Sequence, residues 1–177
     1  MDQQYTLNSL EETVFIGEIV LQSKIAQRAN ERLLATRENF DSIEVWCSIQ
    51  SILVAAGNVS KILWPQKKIA VRGEALRKVL NIEDDHNYLL SDRKFRNHFE
   101  HYDERIDNWF AEDRSAVYTD LVMNPFPSIF GSSFNNYHRA YNSVTQTLTF
   151  RGEKIDLAAV LKELDEIRLK CSPFVLP

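Results

Sequence analysis

The strongest constraint on the fold is the run between Asp41 and Pro65, which is mostly apolar, holds one glycine (Gly57) and contains no proline. Asp41 stands where a carboxylate can accept from the first orphan amides of a helix, and Glu44 three residues on completes a capping box. Phe40 and Val45 occupy the hydrophobic-staple positions on either side of that cap. Pro65 lacks an amide hydrogen and disfavours helical backbone at Trp64 before it. The pattern predicts a helix over Ser42 to Leu63, weakened at Gly57 by about 1 kcal/mol relative to Ala.

A longer periodic segment precedes it, from Leu10 to Glu38, with Ser9 as cap and Glu12 at the box position. Leu10, Val14, Leu21 and Ile25 form one apolar stripe along it, and Phe15, Ile19, Ala26 and Leu33 form another beside it. So wide an arc predicts contact on two sides, a bundle core and a partner. A shorter helix fits Gly73 to Asn81, before the acidic turn Glu83-Asp84-Asp85. A fourth helix runs from Ser91 or Asp92 to Phe110 or Ala111. The segment 113–136 reads as an ordered loop, punctuated by Pro125, Pro127 and Gly131 and interleaved with Phe126, Phe130 and Phe134. Val144 to Phe150 alternates as a strand does. Arg151-Gly152-Glu153 turns it towards Lys154-Ile155, a small hairpin. A last helix follows Asp156, with Ile155 and Val160 as a staple, and ends near Cys171 before Pro173. The expected fold class is mainly α: an up-and-down antiparallel helical bundle with a small β-hairpin near the C-terminus. Residues 1–177 are expected to form one domain, with 8–112 as bundle core and 113–177 as appended loop, hairpin and helix.

The 177 residues suit a single domain, and 44% hydrophobic with 26% charged residues is ordinary globular chemistry. No run approaches the roughly 18 apolar residues of a transmembrane helix, and Met1-Asp2-Gln3-Gln4-Tyr5 lacks the basic and apolar regions of a signal peptide. A cytoplasmic location without membrane partners is the expectation. With 21 Lys and Arg against 25 Asp and Glu, the net charge is −4, which excludes a broadly basic nucleic-acid surface but not a local cationic site. Cys47 and Cys171 have neither CxxC nor CxxH spacing, so they are expected as small, mostly buried apolar residues.

The fourth helix carries the chemistry. At 100° per residue, Phe95, Phe99, Tyr102, Ile106, Trp109 and Phe110 fall within one arc, the expected core face. Arg96, Asn97, Glu100, His101 and Glu104 fall opposite. Asn97 and His101 are one turn apart, as are Arg96 and Glu100. Arg96-Asn97-His98-Phe99-Glu100-His101 resembles the Arg-Asn-x-x-x-His motif of HEPN domains, helical-bundle proteins that include many metal-independent ribonucleases. The helical part of the resemblance covers residues 8–112. In many toxin-type members a Tyr stands two positions after the His; here Tyr102 is adjacent to it and falls on the core face.

The resemblance implies a homodimer in which this helix meets its symmetry mate, so that Arg96 and His101 of both chains line one cleft. It implies RNA as substrate, with an antitoxin or defence-system protein as a further partner. Imidazoles, which ordinarily titrate near pH 6.5, suit the acid and base steps of RNA cleavage. A guanidinium stabilises the charge gathered on a phosphorane-like transition state. Asn97 would donate to a phosphate oxygen or orient His101. The ribose 2′-hydroxyl is an internal nucleophile held near phosphorus, so no metal or cofactor is expected. The products would be a 2′,3′-cyclic phosphate and a 5′-hydroxyl.

Competing readings stay open for each residue. Arg96 and His101 can be solvated side chains of a surface helix, or a face that binds a nucleotide, RNA or protein without turnover. His98 lies at the border of the core face. Glu100 fits an intrahelical ion pair with Arg96, and Arg105 a solvated charge; both, with His98, are candidates to support catalysis. His98 and His101 are three apart, unlike the HExxH metal pattern. Lys67, Lys68 and Arg72 form a basic patch that an RNA strand can use. Asn58-Val59-Ser60 and Gly131-Ser132-Ser133 match a glycosylation sequon and a nucleophile elbow in letters but not in context.

Overall fold

The computed structural model describes residues 9–82, 88–92, 101–112, 118–124 and 137–175. They are mainly helical, with a small four-stranded sheet near the C-terminus. The chain folds as two compact units: Met1–Arg93 with Val160–Pro177, and Lys94–Ala159 between them. The bundle core expected over 8–112 therefore straddles both.

In the first unit, helix α1 (Ser9–Ala35) is followed by α2 (Ser42–Leu63). Asp41 caps α2 as its position requires: its Oδ1 accepts from the amides of Ile43 (2.9 Å) and Glu44 (3.2 Å). The rest of the capping motif is not realised. The Glu44 carboxylate instead accepts from Arg32 Nε at 2.9 Å and Ser48 Oγ at 2.8 Å, tying α2 to α1. Phe40 stays exposed while Val45 is buried, so the expected staple does not close. Gly57 is buried within α2.

Of the two apolar stripes on α1, one is core and one is surface. Ile19, Ala26 and Leu33 are buried, joined by Ile16, while Phe15 is half-buried. Leu10, Val14, Leu21 and Ile25 remain exposed. Period-3.6 reasoning finds both stripes but not which one the chain itself covers. The buried one faces α2 and the last helix, α5 (Leu157–Cys171). Ser23 Oγ donates to the carbonyls of Ile19 and Leu164, Gln27 Nε2 to Asp165 Oδ1, and Asn58 Nδ2 to Gln22 Oε1.

α3 (Ala70–Val79) begins three residues before the expected Gly73, after a 3-10 turn at Lys67–Ile69. Its arginines complete the end of α2, whose last carbonyls have no partner within their own helix. Arg72 Nη2 donates to Lys61 O (3.0 Å) and Ile62 O (3.4 Å), and Arg77 Nη1 to Leu63 O (2.5 Å). Cations at a helix C-terminus also meet the negative end of its dipole. Gly73 lets α3 approach this end: a Cβ there would lie 2.6 Å from Leu63 O and 2.4 Å from Pro65 Cδ. α3 ends in a Schellman arrangement, with Asn81 left-handed (φ 51°) and bonds from Ile82 N to Arg77 O and Asn81 N to Lys78 O.

The buried Glu163 of α5 accepts from the amides of Leu89 (2.7 Å) and Leu90 (2.8 Å), at the start of a 3-10 turn, Leu89–Ser91. Burial pushes its carboxyl above the ordinary range, against the pull of those two bonds. α2 is long and apolar enough to cross a membrane, and half of its most apolar window is buried inside the protein.

The second unit contains α4 (Tyr102–Glu112) and strands β1 (Val122–Met123), β2 (Arg139–Asn142), β3 (Thr147–Phe150) and β4 (Glu153–Asp156), in that spatial order. β1 runs parallel to β2, and the other pairs are antiparallel. Arg151 and Gly152 both have positive φ, 46° and 84°, as a two-residue type I′ turn requires between β3 and β4. Val144, expected in a strand, lies in the β2–β3 loop. There Asn142 Oδ1 accepts from the amides of Val144 and Thr145, and the strand starts only at Thr147. Neighbouring residues Ala140 and Tyr141, and Leu148, Thr149 and Phe150, are all buried, so both faces of the central strands are covered. Asp156 Oδ1 accepts from Ala159 N at 3.0 Å and caps the start of α5.

Candidate functional site

His101 stands immediately before α4, its carbonyl accepting from Arg105 N at 3.2 Å as part of the first helical turn. Its side chain is 52% exposed, and Nδ1 lies 3.3 Å from Glu104 Oε1. One helical turn separates these two residues, so the helix itself sets the pairing. Both side chains are exposed, so the pair is a surface contact. Arg96, Asn97, His98 and Glu100 lie outside the described residues, as do Phe95 and Phe99.

Tyr102 differs from its expected place: it is 51% exposed rather than buried. It shares a helical azimuth with Trp109, which is buried, to within about 20°. The two are two turns apart, so burial is lost along the helix axis rather than around it. Arg105 is not a fully solvated charge: it is half-buried, and its buried Nε has no hydrogen-bond partner among the described residues. Lys67 and Lys68 are exposed in the first unit. Arg72 is half-buried, caps α2 and stacks over the Phe15 ring at 4.6 Å, so its guanidinium is already engaged within the chain. Cys47 is exposed, contrary to expectation, because it sits on the outer face of α2; Cys171 is buried.

A second cluster, which the sequence pattern does not single out, lies where α4 meets the sheet. Trp109 packs edge-on to Tyr118 (5.7 Å between ring centroids) and to His138 (6.1 Å), and Phe110 stacks on Tyr118 (5.6 Å). His138 also meets Phe150 of β3 at 4.7 Å. The His138 side chain is fully buried, and its backbone is pinned by bonds from its N to Thr119 O and from Arg151 N to its O. Arg139, the next residue, makes a two-pronged ion pair with Asp120: Nη2 to Oδ2 at 2.5 Å and Nε to Oδ1 at 3.0 Å. Leu121 N also donates to Asp120 Oδ1 (2.9 Å), from a residue held at φ 57°. A left-handed leucine is strained by about 1–3 kcal/mol and persists where surrounding bonds over-determine it.

The electrostatics of this cluster agree with its geometry. Burial acts to raise the Asp120 carboxyl, but the bonds and charge of Arg139 outweigh it and hold the group below the ordinary range. Burial, then Asp120, push the Tyr118 phenol up, so it keeps its proton. Burial pushes the His138 imidazole down, so it is neutral. The 3.9 Å between His138 Nδ1 and Asp120 Oδ1 is accordingly a proximity and not an ion pair. Tyr118 Oη donates to Asp120 Oδ2 at 3.4 Å and lies 3.0 Å from His138 Nδ1, a hydrogen bond whose direction follows the histidine tautomer. Among the described residues, neither His138 Nε2 nor Trp109 Nε1, both buried, has a hydrogen-bond partner.

Among the described residues, no group of three or more His, Cys, Asp or Glu is placed to hold a metal ion. No family model matches the chain, nor does any curated protein or solved structure.

Proposed function

We propose that this protein is a metal-independent endoribonuclease of HEPN type, an up-and-down helical bundle that works in the cytoplasm as a homodimer. His101 takes the 2′-hydroxyl proton or supplies the leaving oxygen with one. Arg96 stabilises the charge on the phosphorane-like transition state, and Asn97 assists it. The reaction leaves a 2′,3′-cyclic phosphate and a 5′-hydroxyl, and a neutralising antitoxin or defence-system protein is the fitting partner.

The observation that carries this reading is the state of His101. It is an accessible imidazole on the polar side of α4, with a carboxylate 3.3 Å from Nδ1. A solvated surface histidine needs no such partner, whereas an acid–base imidazole gains orientation from one. Two copies in one cleft supply the base and the acid together. The test is cleavage of labelled RNA in EDTA by the wild type, His101→Ala and Glu104→Gln. Cyclic-phosphate ends from the wild type, absent with His101→Ala and reduced with Glu104→Gln, are expected. Absence of cleavage by the wild type across several RNAs would refute the enzyme and favour a face that binds without turnover.

A further inference from the structure

We propose that His138 is a proton-operated latch: neutral, it holds the C-terminal turns of α4 against the sheet, and protonation releases them. The cluster is built for one protonation state. With His138 neutral, Nδ1 and the Tyr118 hydroxyl are hydrogen-bonded at 3.0 Å, and the two rings present the surface on which Trp109 and Phe110 lie. A second ring proton makes both nitrogens donors, and the buried Nε2 has no acceptor among the described residues.

The surrounding charges decide the sign. Asp120 is the one anion acting on the ring among the described residues, and it is paired with Arg139. Arg139 on β2 and Arg151 in the β3–β4 turn both oppose a positive ring. On α4, Arg105 is a half-buried cation, and Tyr102 adds only a weak influence on Tyr118 and Arg139. Full burial of the side chain removes the water that would otherwise solvate the new charge. A protonated His138 is therefore tolerated only if the ring reaches solvent, and Trp109 of α4 is among the rings that cover it. Burial lowers the proton affinity of the closed form, so opening is favoured as pH falls below the 6.5 of an ordinary imidazole. Since α4 begins beside His101, opening would also alter the presentation of that imidazole; this consequence rests on the proposed ribonuclease, while the latch does not.

The experiment follows the full-length chain from pH 8 to pH 4.5. The histidine rings are read by NMR, the three tryptophans by fluorine labelling, and helicity by far-ultraviolet circular dichroism. Above pH 7 the His138 ring should be neutral. The Trp109 resonance should shift in one step below pH 6.5, with the midpoint of the His138 titration and with helicity retained. His138→Asn keeps an acceptor near Tyr118 and cannot titrate, so the step should vanish. Should that variant fail to fold, the coincidence of the two wild-type midpoints decides the matter. The latch is overturned if His138 titrates at or above 6.5 while Trp109 stays silent, if the step survives in His138→Asn, or if helicity collapses in the same step. None of these readings requires RNA cleavage, so loss of nuclease activity without the Trp109 shift counts against the ribonuclease assignment alone.

Discussion

Replacing Gly73 with alanine should destabilise the first unit, although alanine is the better helix former. By intrinsic propensity alone the change would favour α3 by about 1 kcal/mol. The local geometry reverses this. The new Cβ would sit 2.4 Å from Pro65 Cδ and 2.6 Å from Leu63 O, a ring and a backbone carbonyl that cannot swing aside as a flexible side chain would. Overpacking of this kind costs about 1–3 kcal/mol. Leu63 O is also the acceptor of Arg77 Nη1, and a bond to a charged donor contributes about 1.5–3 kcal/mol, some of which is lost if α3 backs away. The balance is a net loss of about 1–3 kcal/mol. Gly17→Ala is the matched control, because a Cβ at Gly17 in α1 meets nothing within 4 Å. That variant should gain about 0.5–1 kcal/mol. Urea unfolding followed at 222 nm should move the two midpoints in opposite directions. A neutral or stabilised Gly73→Ala would refute the close approach of α3 to the end of α2.

Other expectations are equally direct. Glu163→Ala leaves the amides of Leu89 and Leu90 without their acceptor, and should lower stability by about 2–4 kcal/mol in the same urea assay. Asp120 has a folded value below the ordinary 3.8, so its contribution is present above that pH and is lost as pH falls through the folded value. Asp120→Asn should therefore be less stable at pH 6 but show a shallower decline below pH 4, measured by chemical denaturation across that range. Burial pushes the Cys171 thiol up to about 11, while Cys47 is exposed. Brief iodoacetamide treatment of the native protein at pH 8 should give one adduct, at Cys47, when mapped by peptide mass spectrometry.

What could be read from the sequence divides by the distance over which the physics acts. Asp41, Asp156 and the pair Arg151-Gly152 act on amides and dihedral angles within three residues, and each does in the structure what its neighbours require. The choice between the two stripes of α1 depends on what α2 and α5 cover, and no local pattern encodes it. Arg72 read as part of a basic patch because its partners, the carbonyls of Lys61 and Ile62 and the ring of Phe15, are set by the fold of three helices. The Tyr118–Asp120–His138–Arg139 cluster was invisible for the same reason. It assembles through β1 and β2, and a two-residue strand beside a four-residue one leaves no periodicity to detect. Its one sequence trace is the adjacent His138-Arg139 pair ahead of two apolar residues. Of the motif that suggested a ribonuclease, His101 is described and accessible, and its carboxylate partner Glu104 lies on the face the helical projection assigned to both.

The order of the two units along the chain has a consequence for synthesis. The first unit is discontinuous: α1 and the Leu89–Ser91 turn take hydrogen-bond partners from α5, at Leu164, Asp165 and Glu163. As the chain leaves the ribosome, α1, α2 and α3 emerge with the apolar ground meant for Leu164 and Ile167 still uncovered. They must wait while the whole of the second unit is made, several seconds at about 5–20 residues per second. During that interval α2 already covers part of the buried face of α1, and the part that α5 covers stays open. Conditions that slow translation between residues 94 and 159 should therefore lengthen its dependence on chaperones.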